Sequence, residues 1–474
     1  MTPLRIVVIG GGMAAARLAE RLGGRSDVSL TILGEERHVP YNRALLIAAL
    51  CQPSLLSSLA LHTQRWFDSR NINLQLAVRA VSIDRRRQNV VLHNGMQVPY
   101  DALVLATGAI PVVPLISGAR GCRDYRIGTI WRIRDVQRLR AMVRHARRIA
   151  VIGGGALGVE VAAALAGRCG QVTLTHDAPQ LLNSLANAAV SAATAEQLRR
   201  HGVEIHLGRP VREIRRRANE LTLIVSGGTA IDVDGVVLAA GARPATRLAA
   251  AAKLEVDEAG VVVTDTFASP DDPNIFAIGD CAATGSRGQA LAAWRHADAL
   301  AEVFGAAPGG RTYVPVATLR VRAPGVDLLA VGRWQAGASV LLDDAARRTY
   351  AHLTVEEGRL VGGILFGDTR RAGRLLHAAS RPWSAVSVSS LLFESTVRMP
   401  APRDDDLACV CRGVPVGEVR RLIRAGCAVD EICRQTGAAS GCGSCRTLLQ
   451  ALIDEGAADA EPACHGVDAA QAHR

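Results

Sequence analysis

Residues Leu4–Ala15 read LRIVVIGGGMAA, a short apolar strand pattern that runs directly into three consecutive glycines. A helical pattern follows at Ala16–Leu22, and a second strand pattern follows at Val28–Leu33. This order of strand, glycine turn, helix and strand is typical of a dinucleotide-binding unit. In such a unit a pyrophosphate approaches the backbone amides at the helix N-terminus, where a Cβ atom would block it. The stretch therefore predicts an α/β, Rossmann-like domain.

The same order returns in the middle of the chain. A strand pattern at Ile149–Ile152 precedes GGGALG at Gly153–Gly158, a helical pattern at Val159–Leu165 and a strand pattern at Val172–Thr175. A single glycine turn also occurs for purely steric reasons and would be weak evidence. Two copies in the same context predict two separate dinucleotide-binding folds.

Both copies have small residues where the binding of a pyrophosphate requires them. Backbone access to the pyrophosphate is expected at Gly10, Gly12, Gly153 and Gly155. The third position must be small so that the helix packs on the strand. It is Ala15 in the first copy and Gly158 in the second.

An acid about 20 residues beyond the glycine turn is expected to hold the adenosine ribose. Glu35 has this place in the first copy, and aligning the two strand ends places Asp177 at the equivalent point. The alternative is that both acids only begin turns, and His176 competes with Asp177 for the role.

A second repeat supports the first. Leu103–Pro111 reads LVLATGAIP, and Val236–Pro244 reads VVLAAGARP, so each predicted fold closes with a buried strand and a glycine turn. Further on, Asn274–Asp280 reads NIFAIGD, a strand that runs into a Gly-Asp pair. Such a pair suits an acid that hydrogen-bonds a ribityl hydroxyl.

With these motifs in order, residues 1 to about 310 resemble the two-dinucleotide-binding flavoproteins, pyridine nucleotide-dependent ferredoxin reductases in particular. The resemblance implies that FAD occupies the first fold and that NAD(P)H occupies the second, which is inserted in the first. The residues that would hold FAD are then Gly10, Gly12, Ala15, Glu35, Thr107, Gly108 and Asp280. Those that would hold the nicotinamide nucleotide are Gly153, Gly155, Gly158, Gly241 and, by the alignment, Asp177.

Two residues are predicted to act in the reaction itself. Glu160 matches the family's acid near the nicotinamide and flavin rings, although a first-turn acid is also favoured by the helix dipole alone. Tyr41–Arg43 resembles a segment that lines the flavin in nitrite reductase large subunits, so Arg43 is expected to bind FAD and steady its reduced ring. Related disulfide reductases carry two redox cysteines in this region. The segment Pro40–Cys51 contains only Cys51, which excludes a dithiol mechanism and favours a small core residue there.

Four cysteines crowd into two short stretches near the C-terminus, CVC at Cys409–Cys411 and CGSC at Cys442–Cys445. Thiolates from two loops can close around one metal centre, with Cys409, Cys411, Cys442 and Cys445 as the ligands. Zinc is one alternative, but common zinc modules place two to four residues between paired ligands. The glycines and serine of the second stretch leave amides free to hydrogen-bond sulfides, which favours an iron-sulfur cluster.

The cysteine segment resembles the 2Fe-2S domain of the bacterioferritin-associated ferredoxin type, which also follows the flavin module in nitrite reductase large subunits. The match consists of Cys409–Val414 and Thr436–Cys445. Two short helices are predicted between the cysteine pairs, at Val416–Gly426 and Val429–Thr436. Cys427 and Cys433 are placed on these helices and are interpreted as core or surface thiols rather than ligands.

The expected fold class is α/β, with two Rossmann-like domains, the NAD domain inserted in the FAD domain, followed by a small α+β domain and a small helical 2Fe-2S domain. The predicted boundaries are 1–111 and 245–310 for FAD, 112–244 for NAD(P)H, 311–383 for the α+β domain, 384–406 for a linker, 407–455 for the cluster domain and 456–474 for a flexible tail. The linker would let the cluster domain swing, and the α+β domain is expected to carry packing and homodimer contacts.

Composition excludes two classes of partner. Phe, Trp and Tyr together make 3% of the 474 residues, so the aromatic platforms that bind single-stranded nucleic acid are scarce. The net charge is +11, but Lys253 is the only lysine and the arginines are scattered, which indicates a solvated surface. The apolar runs are too short to cross a bilayer. We therefore expect a cytoplasmic protein that binds neither nucleic acid nor membrane.

A hydride carrier, a flavin and a one-electron cluster in one chain predict an electron relay from NADH to a separate protein. The sirohaem-binding half of a nitrite reductase does not follow the cluster segment, so we expect the terminal nitrate or nitrite reductase to be another chain. The alternatives are a subunit of an amine or opine oxidase and a redox-sensing module without turnover. NADH is predicted over NADPH, because His176–Leu182 contains no Arg or Lys to bind a 2′-phosphate, unless Arg209 or Arg243 reaches in.

Overall fold

The computed structural model describes most of the chain. The described residues are 2–119, 124–183, 186–217, 220–284, 290–307, 318–334, 338–344, 346–357, 359–369, 375, 403–404, 406–409, 412–439, 441 and 445–458. Cys411 and Cys442 lie outside these ranges, as does the predicted linker except for residues 403, 404 and 406.

Strands provide most of the framework. They are β1 Leu4–Ile9, β2 Val28–Leu33, β3 Asn73–Gln75, β4 Ala80–Asp84, β5 Asn89–Leu92, β6 Gln97–Pro99, β7 Ala102–Leu105, β8 Ala109–Pro111, β9 Ile127–Thr129, β10 Arg148–Ile152, β11 Gln171–Thr175, β12 Val203–His206, β13 Val211–Arg216, β14 Leu221–Val225, β15 Ala230–Val233, β16 Gly235–Leu238, β17 Ala242–Pro244, β18 Ala268–Ser269, β19 Asp272–Ala277, β20 Thr318–Ala323, β21 Val326–Gly332, β22 Ala338–Asp344, β23 Thr349–Glu356, β24 Arg359–Phe366, β25 Leu407–Cys409 and β26 Val414–Pro415.

The helices connect and cover these strands. They are α1 Met13–Leu22, α2 Leu46–Cys51, α3 Gln64–Asp68, α4 Ile133–Val143, α5 Ala156–Leu165, α6 Ala188–Arg200, α7 Arg247–Ala251, α8 Ala290–Val303, α9 Val416–Arg424, α10 Val429–Thr436 and α11 Arg446–Ala458. Short 3₁₀ turns lie at Arg43–Leu45, Pro53–Ser58 and Gly279–Cys281.

The first sheet has the strand order β18-β19-β7-β1-β2-β3 and is parallel except for β18. The central strands β1 and β7 are buried on both faces over most of their length, as the continuous apolar runs predict. Ile6 and Val8 of β1 face a core with α1 and α8, whereas Val7 and Ile9 face a second core on the opposite side. The alternation of side chains along a strand therefore fills both cores from one short segment.

The second sheet is all-parallel, with the order β12-β11-β10-β16-β9. All its strands lie in the chain between β7 and β18, which both belong to the first sheet. The second dinucleotide fold is therefore inserted in the first, and the predicted fold class is confirmed. The chain crosses between the folds along β8 and β17, which pair antiparallel. We propose the ends of these two strands, at 111/112 and 244/245, as the domain boundaries.

The two folds repeat in hydrogen bonding as well as in sequence. The amide of Gly10 donates to the carbonyl of Leu33 at 2.9 Å, and the amide of Gly153 donates to the carbonyl of Thr175 at 2.8 Å. Both glycines have φ of 120°. A Cβ atom on Gly10 would lie 2.1 Å from the carbonyl oxygen of Ala106, and one on Gly153 would lie 2.3 Å from the carbonyl oxygen of Ala239. Only glycine fits at these two positions.

The rest of the chain forms smaller units. Five antiparallel strands make a sheet in the order β20-β21-β24-β23-β22, as the alternating pattern in this region predicts. Near the C-terminus, α9, α10 and α11 pack around a small core. Cys433 lies on α10, as predicted, but Cys427 lies in the turn between α9 and α10 because α9 ends at Arg424. In the described residues, no helix is long and apolar enough to span a membrane.

Candidate functional site

A cleft lies at the carboxyl ends of the central strands of the first sheet, where open α/β sheets bind ligands. Its empty volume is about 1480 Å³. The turns that follow β1, β2, β7 and β19 all contribute to its wall. The cleft thereby brings together the predicted FAD residues Gly10, Gly12, Glu35, Arg43, Thr107, Gly108 and Asp280. Ala15 does not line it, because its side chain is fully buried between α1 and the sheet.

The N-terminus of α1 is open to this cleft. Gly12 caps the helix without a side-chain hydrogen bond, and a Cβ atom added to it would meet nothing within 4 Å. The first amides of a helix lack partners within the helix and carry partial positive charge. This end of the cleft therefore fits a pyrophosphate.

Glu35 lies at the rim of the cleft with its side chain half exposed, and Arg132 Nη2 donates to Glu35 Oε2 at 3.0 Å. Arg43 lies in the wall, and its guanidinium donates to Glu36 Oε1 at 2.6 Å and to the carbonyl of Trp131 at 3.0 Å. The positive charge of Arg43 is therefore held in one place by Glu36. The sequence analysis missed Glu36 and Trp131, since neither belongs to a recognised motif.

The Asp280 turn is supported from α8. The amide of Gly279 donates to Nδ1 of His296 at 3.2 Å, so His296 must be unprotonated at Nδ1. Burial, with the charge of Arg295 as a smaller cause, lowers the pKa of His296 to about 4. On the other side of the cleft, Thr107 Oγ1 donates to the carbonyl of Ala245 at 2.9 Å. No sequence motif indicated a role for His296.

Residues of the inserted fold also line the first cleft, namely Ile130, Trp131 and Arg132 and two residues of α5. Leu157 and Glu160 lie on α5, which belongs to the second fold, yet both are in the wall beside Arg43 and Asp280. The role of Glu160 near the nicotinamide and flavin rings stays a prediction. The alternative of a first-turn acid is wrong, because α5 begins at Ala156 and has no acid in its first turn.

A second cleft, with an empty volume of about 920 Å³, lies at the carboxyl ends of the second sheet. It brings together the predicted nicotinamide-nucleotide residues Gly153, Gly155, Asp177 and Gly241. Gly158 lies outside its wall, since a Cβ atom there would be 1.8 Å from the carbonyl oxygen of Gly153, and its role is packing. The hydroxyl of Thr175 is buried without a hydrogen-bond partner in the described part of the chain, so it is free for a ligand.

The charges of the second cleft bear on the choice of nucleotide. Asp177 is mostly exposed, and its Oδ1 lies 2.9 Å from His176 Nδ1. Arg209 also lines this cleft, and its amide donates to the carbonyl of His176 at 3.1 Å. A cation from outside the segment His176–Leu182 therefore lies near the ribose acid, and Arg243 is not part of the wall.

The described half of the cysteine site is buried. Cys409 ends β25, and Cys445 directly precedes α11; both side chains belong to one apolar core. Cys445 Sγ accepts a hydrogen bond from the amide of Ala439 at 3.2 Å. Amide hydrogen bonds to ligand sulfurs are characteristic of iron-sulfur sites, so these residues fit a cluster. The predicted ligands Cys411 and Cys442 lie outside the described residues.

Comparison with protein families identifies the flavin module. The model of pyridine nucleotide-disulphide oxidoreductases matches residues 4–297. The chain belongs to this family. The BFD-like [2Fe-2S] binding domain matches residues 407–455, and the C-terminal domain of rubredoxin NAD+ reductase matches residues 315–381.

Curated relatives of this oxidoreductase extend the match to the whole chain. It is 28% identical over 466 residues to a nitrite reductase [NAD(P)H] of Bacillus subtilis, covering 95% of this chain and 57% of that protein. It is also 28% identical over 471 residues to an assimilatory nitrate reductase electron transfer subunit of the same organism, covering 96% of this chain and 60% of that protein. The chain thus spans about three fifths of the length of these relatives.

Among solved structures, a covalent putidaredoxin reductase–putidaredoxin complex has a TM-score of 0.70 and 26% sequence identity, covering 77% of this chain and 90% of that one. The predicted chemistry is thereby confirmed at the level of class: the oxidoreductase uses FAD and NAD(P)H and has a 2Fe-2S domain. The zinc alternative is overturned by the match to the [2Fe-2S] binding domain. Despite the family's name, the segment Pro40–Cys51 offers only the thiol of Cys51, which is half-buried against the core of the inserted fold.

The cluster domain of this oxidoreductase is docked on the FAD fold. Met13 and Trp294 of the FAD fold share a buried core with Cys409 and Cys445. Polar contacts cross the same interface: Arg412 Nη1 lies 3.1 Å from Glu20 Oε1, and Asn42 Nδ2 donates to the carbonyl of Gly441 at 3.4 Å. The predicted swinging domain is therefore seen here in contact with the flavin module, a contact that the linker pattern did not predict.

Proposed function

We propose that this oxidoreductase is the electron-transfer component of a nitrate or nitrite reductase system and carries electrons from NADH to a separate terminal reductase. One observation supports it above all: the wall of the FAD cleft contains Glu160 from the inserted nucleotide fold and Met13, which also packs in the core around Cys409 and Cys445. A single cleft therefore borders the nicotinamide fold on one side and the cluster domain on the other.

Different residues of the cleft bind different parts of FAD in this proposal. The amides after Gly12 bind the pyrophosphate, Glu35 holds the adenosine ribose, and Asp280 holds the ribityl chain. FAD bound here would accept a hydride from the nicotinamide and a 2Fe-2S cluster would accept electrons singly, so the pair would convert two-electron into one-electron transfer. Glu160 positions the nicotinamide against the flavin, and Arg43 places positive charge beside the ring that becomes electron-rich.

The terminal acceptor is proposed from the names of the relatives. One is a nitrite reductase and another is an electron transfer subunit of an assimilatory nitrate reductase. The catalytic centre for nitrogen oxides is proposed to lie on another protein, since one relative is itself named an electron transfer subunit. The same names favour nitrate or nitrite over an amine or opine as the substrate of the whole system.

Cys409→Ser tests the proposal, with Cys433→Ser in the same domain as the matched control. We expect the Cys409 variant to lose iron while NADH still bleaches the flavin at the wild-type rate and ferricyanide is still reduced. Reduction of the purified nitrate reductase catalytic subunit should fail, whereas the Cys433 variant should retain it. If the Cys409 variant reduces the partner at the original rate, electrons leave directly from the flavin and the relay is wrong. If the wild type oxidises NADH neither with ferricyanide nor with the nitrate reductase subunit, the relay is wrong and a redox-sensing role is favoured instead.

A further inference from the structure

Trp294 has a buried hydrogen-bond donor without an acceptor. It lies on α8 of the FAD fold, its side chain is 1% exposed, and its indole Nε1 has no hydrogen-bond partner in the described part of the chain. Leaving a buried N–H group unpaired costs about 1–3 kcal/mol. Native proteins rarely accept this cost, so such a group indicates an acceptor that the protein atoms do not supply.

The flavin cleft is not the place of this acceptor. Ala290 and Ala293 of the same helix line that cleft, but Trp294 does not. Trp294 instead belongs to the core that contains Cys409 and Cys445, on the cluster-domain side of α8. The acceptor is therefore to be sought among the cysteine ligands and what they hold.

The ring of Trp294 is held by charged groups on one face. The guanidinium of Arg412, next to the predicted ligand Cys411, lies 4.9 Å from the ring centroid, within the range of a cation–π contact. Arg412 in turn pairs with Glu20 on α1, and Glu20 also contacts Arg17 and His62. These side chains are nearly buried, so the guanidinium has little freedom to leave the ring.

We propose that the indole N–H of Trp294 donates a hydrogen bond to a sulfur atom of the 2Fe-2S site, either a cysteine thiolate or a sulfide, and that Arg412 and Glu20 hold the ring in that position. Trp294 is then a positioning residue supplied by the flavin module to the cluster. Hydrogen bonds to sulfur favour the reduced state, which carries more negative charge. The inference deepens the proposed relay, on which its role in electron transfer rests, because it makes the cluster a better acceptor only while the two domains are docked.

The test compares Trp294→Phe with Trp334→Phe, a matched change in the five-stranded antiparallel domain. Phenylalanine keeps an aromatic ring beneath Arg412 but removes the N–H group. A dithionite titration followed by electron paramagnetic resonance measures the reduction equilibrium of the cluster without NADH. We expect iron and FAD contents to match the wild type, and the equilibrium to shift about threefold to tenfold toward the oxidised cluster, the size of one hydrogen bond. In the Trp334 variant the reduction equilibrium of the cluster should stay unchanged.

An unchanged equilibrium in Trp294→Phe with full iron content contradicts the inference. A measurement on the unmodified sequence covers the case in which the variant loses its iron. In protein grown with isotope-labelled tryptophan, hyperfine spectroscopy of the reduced cluster should detect coupling to the indole N–H group; absence of that coupling also overturns the hydrogen bond. Failure of NADH to reduce the wild-type cluster would instead contradict the proposed relay and leave both measurements of the hydrogen bond intact.

Discussion

Arg412 and Glu20 form a nearly buried ion pair, with 3.1 Å between Nη1 and Oε1, although they are 392 positions apart in the chain. Arg412 belongs to the cluster domain, and Glu20 belongs to the first helix of the FAD fold. Burial alone would raise the pKa of Glu20, but hydrogen bonding to His62 and the charges of Arg412 and Arg17 lower it to about 2. Glu20 is therefore charged at neutral pH and fastens the two domains together.

Glu20→Gln should loosen this interface. The change leaves the charge of Arg412 without the carboxylate with which it pairs, which costs about 3 kcal/mol for a buried pair. Hydrogen exchange in α9 and α10 should accelerate, while the content of FAD stays unchanged. The control is Asp298→Asn, which removes a partner of Arg17 and Arg21 that does not contact Arg412. Equal exchange in the two variants would show that the ion pair does not hold the domains.

Glu160→Gln should slow the reduction of the flavin by NADH. Because Glu160 reaches the wall of the FAD cleft from the inserted nucleotide fold, its loss should disturb the approach of the nicotinamide, and we expect a decrease of at least about 10-fold. Rapid mixing under anaerobic conditions measures the bleaching rate. Glu196→Gln on α6, where Glu196 pairs with Arg200 at the surface, is the matched control. A normal rate in the Glu160 variant would show that this acid does not act in the reduction of the flavin.

The preference for NADH should depend on Asp177. Its carboxylate should repel a 2′-phosphate. Asp177→Asn should therefore lower the ratio of the kcat/KM with NADH to the kcat/KM with NADPH. Arg209→Ala should remove the cation that the structure places in the same cleft and should lower the use of NADPH without affecting that of NADH. Arg217→Ala, at an exposed position, controls for the loss of a surface charge. A wild-type ratio in favour of NADPH would contradict the prediction.

His296 should make stability depend on pH. Burial lowers its pKa from 6.5 to about 4, so between these values the unfolded chain binds a proton that the folded chain does not. Stability should therefore fall as the pH is lowered from about 6.5 to about 4, and His296→Gln should remove this part of the decrease. Thermal unfolding across that range measures it, with the exposed His145→Gln as control. If the stability of the His296 variant and that of the wild type fall equally with pH, protonation of His296 is not the cause of the decrease.

The sequence predicts those parts of the site that are encoded locally. Gly12, Glu35 and Asp280 closely follow strands of the first sheet, and Asp177 closely follows a strand of the second. The carboxyl ends of parallel strands therefore place them in the two clefts once the strands are recognised. The docking of the cluster domain depends instead on pairs such as Arg412 and Glu20, which no periodicity or spacing links.

Supporting residues are hidden from sequence reasoning for a similar reason. His296 reaches Gly279 through a backbone amide, and Trp294 looks like any apolar residue of an amphipathic helix. Ala15 and Gly158 were predicted both to allow helix–strand packing and to hold a nucleotide, yet both lie outside the cleft walls. Motifs that require a small residue therefore do not distinguish contact with a ligand from contact between helix and strand.

The relay from NADH to the cluster is tested most directly by anaerobic rapid mixing of the wild-type protein with NADH, with the flavin and the cluster followed separately by absorbance and by freeze-quench electron paramagnetic resonance. We predict that the flavin bleaches first, that the cluster signal appears afterwards at a rate independent of NADH concentration, and that Cys409→Ser shows only the first step. A cluster that stays oxidised while the flavin is fully reduced would contradict the relay.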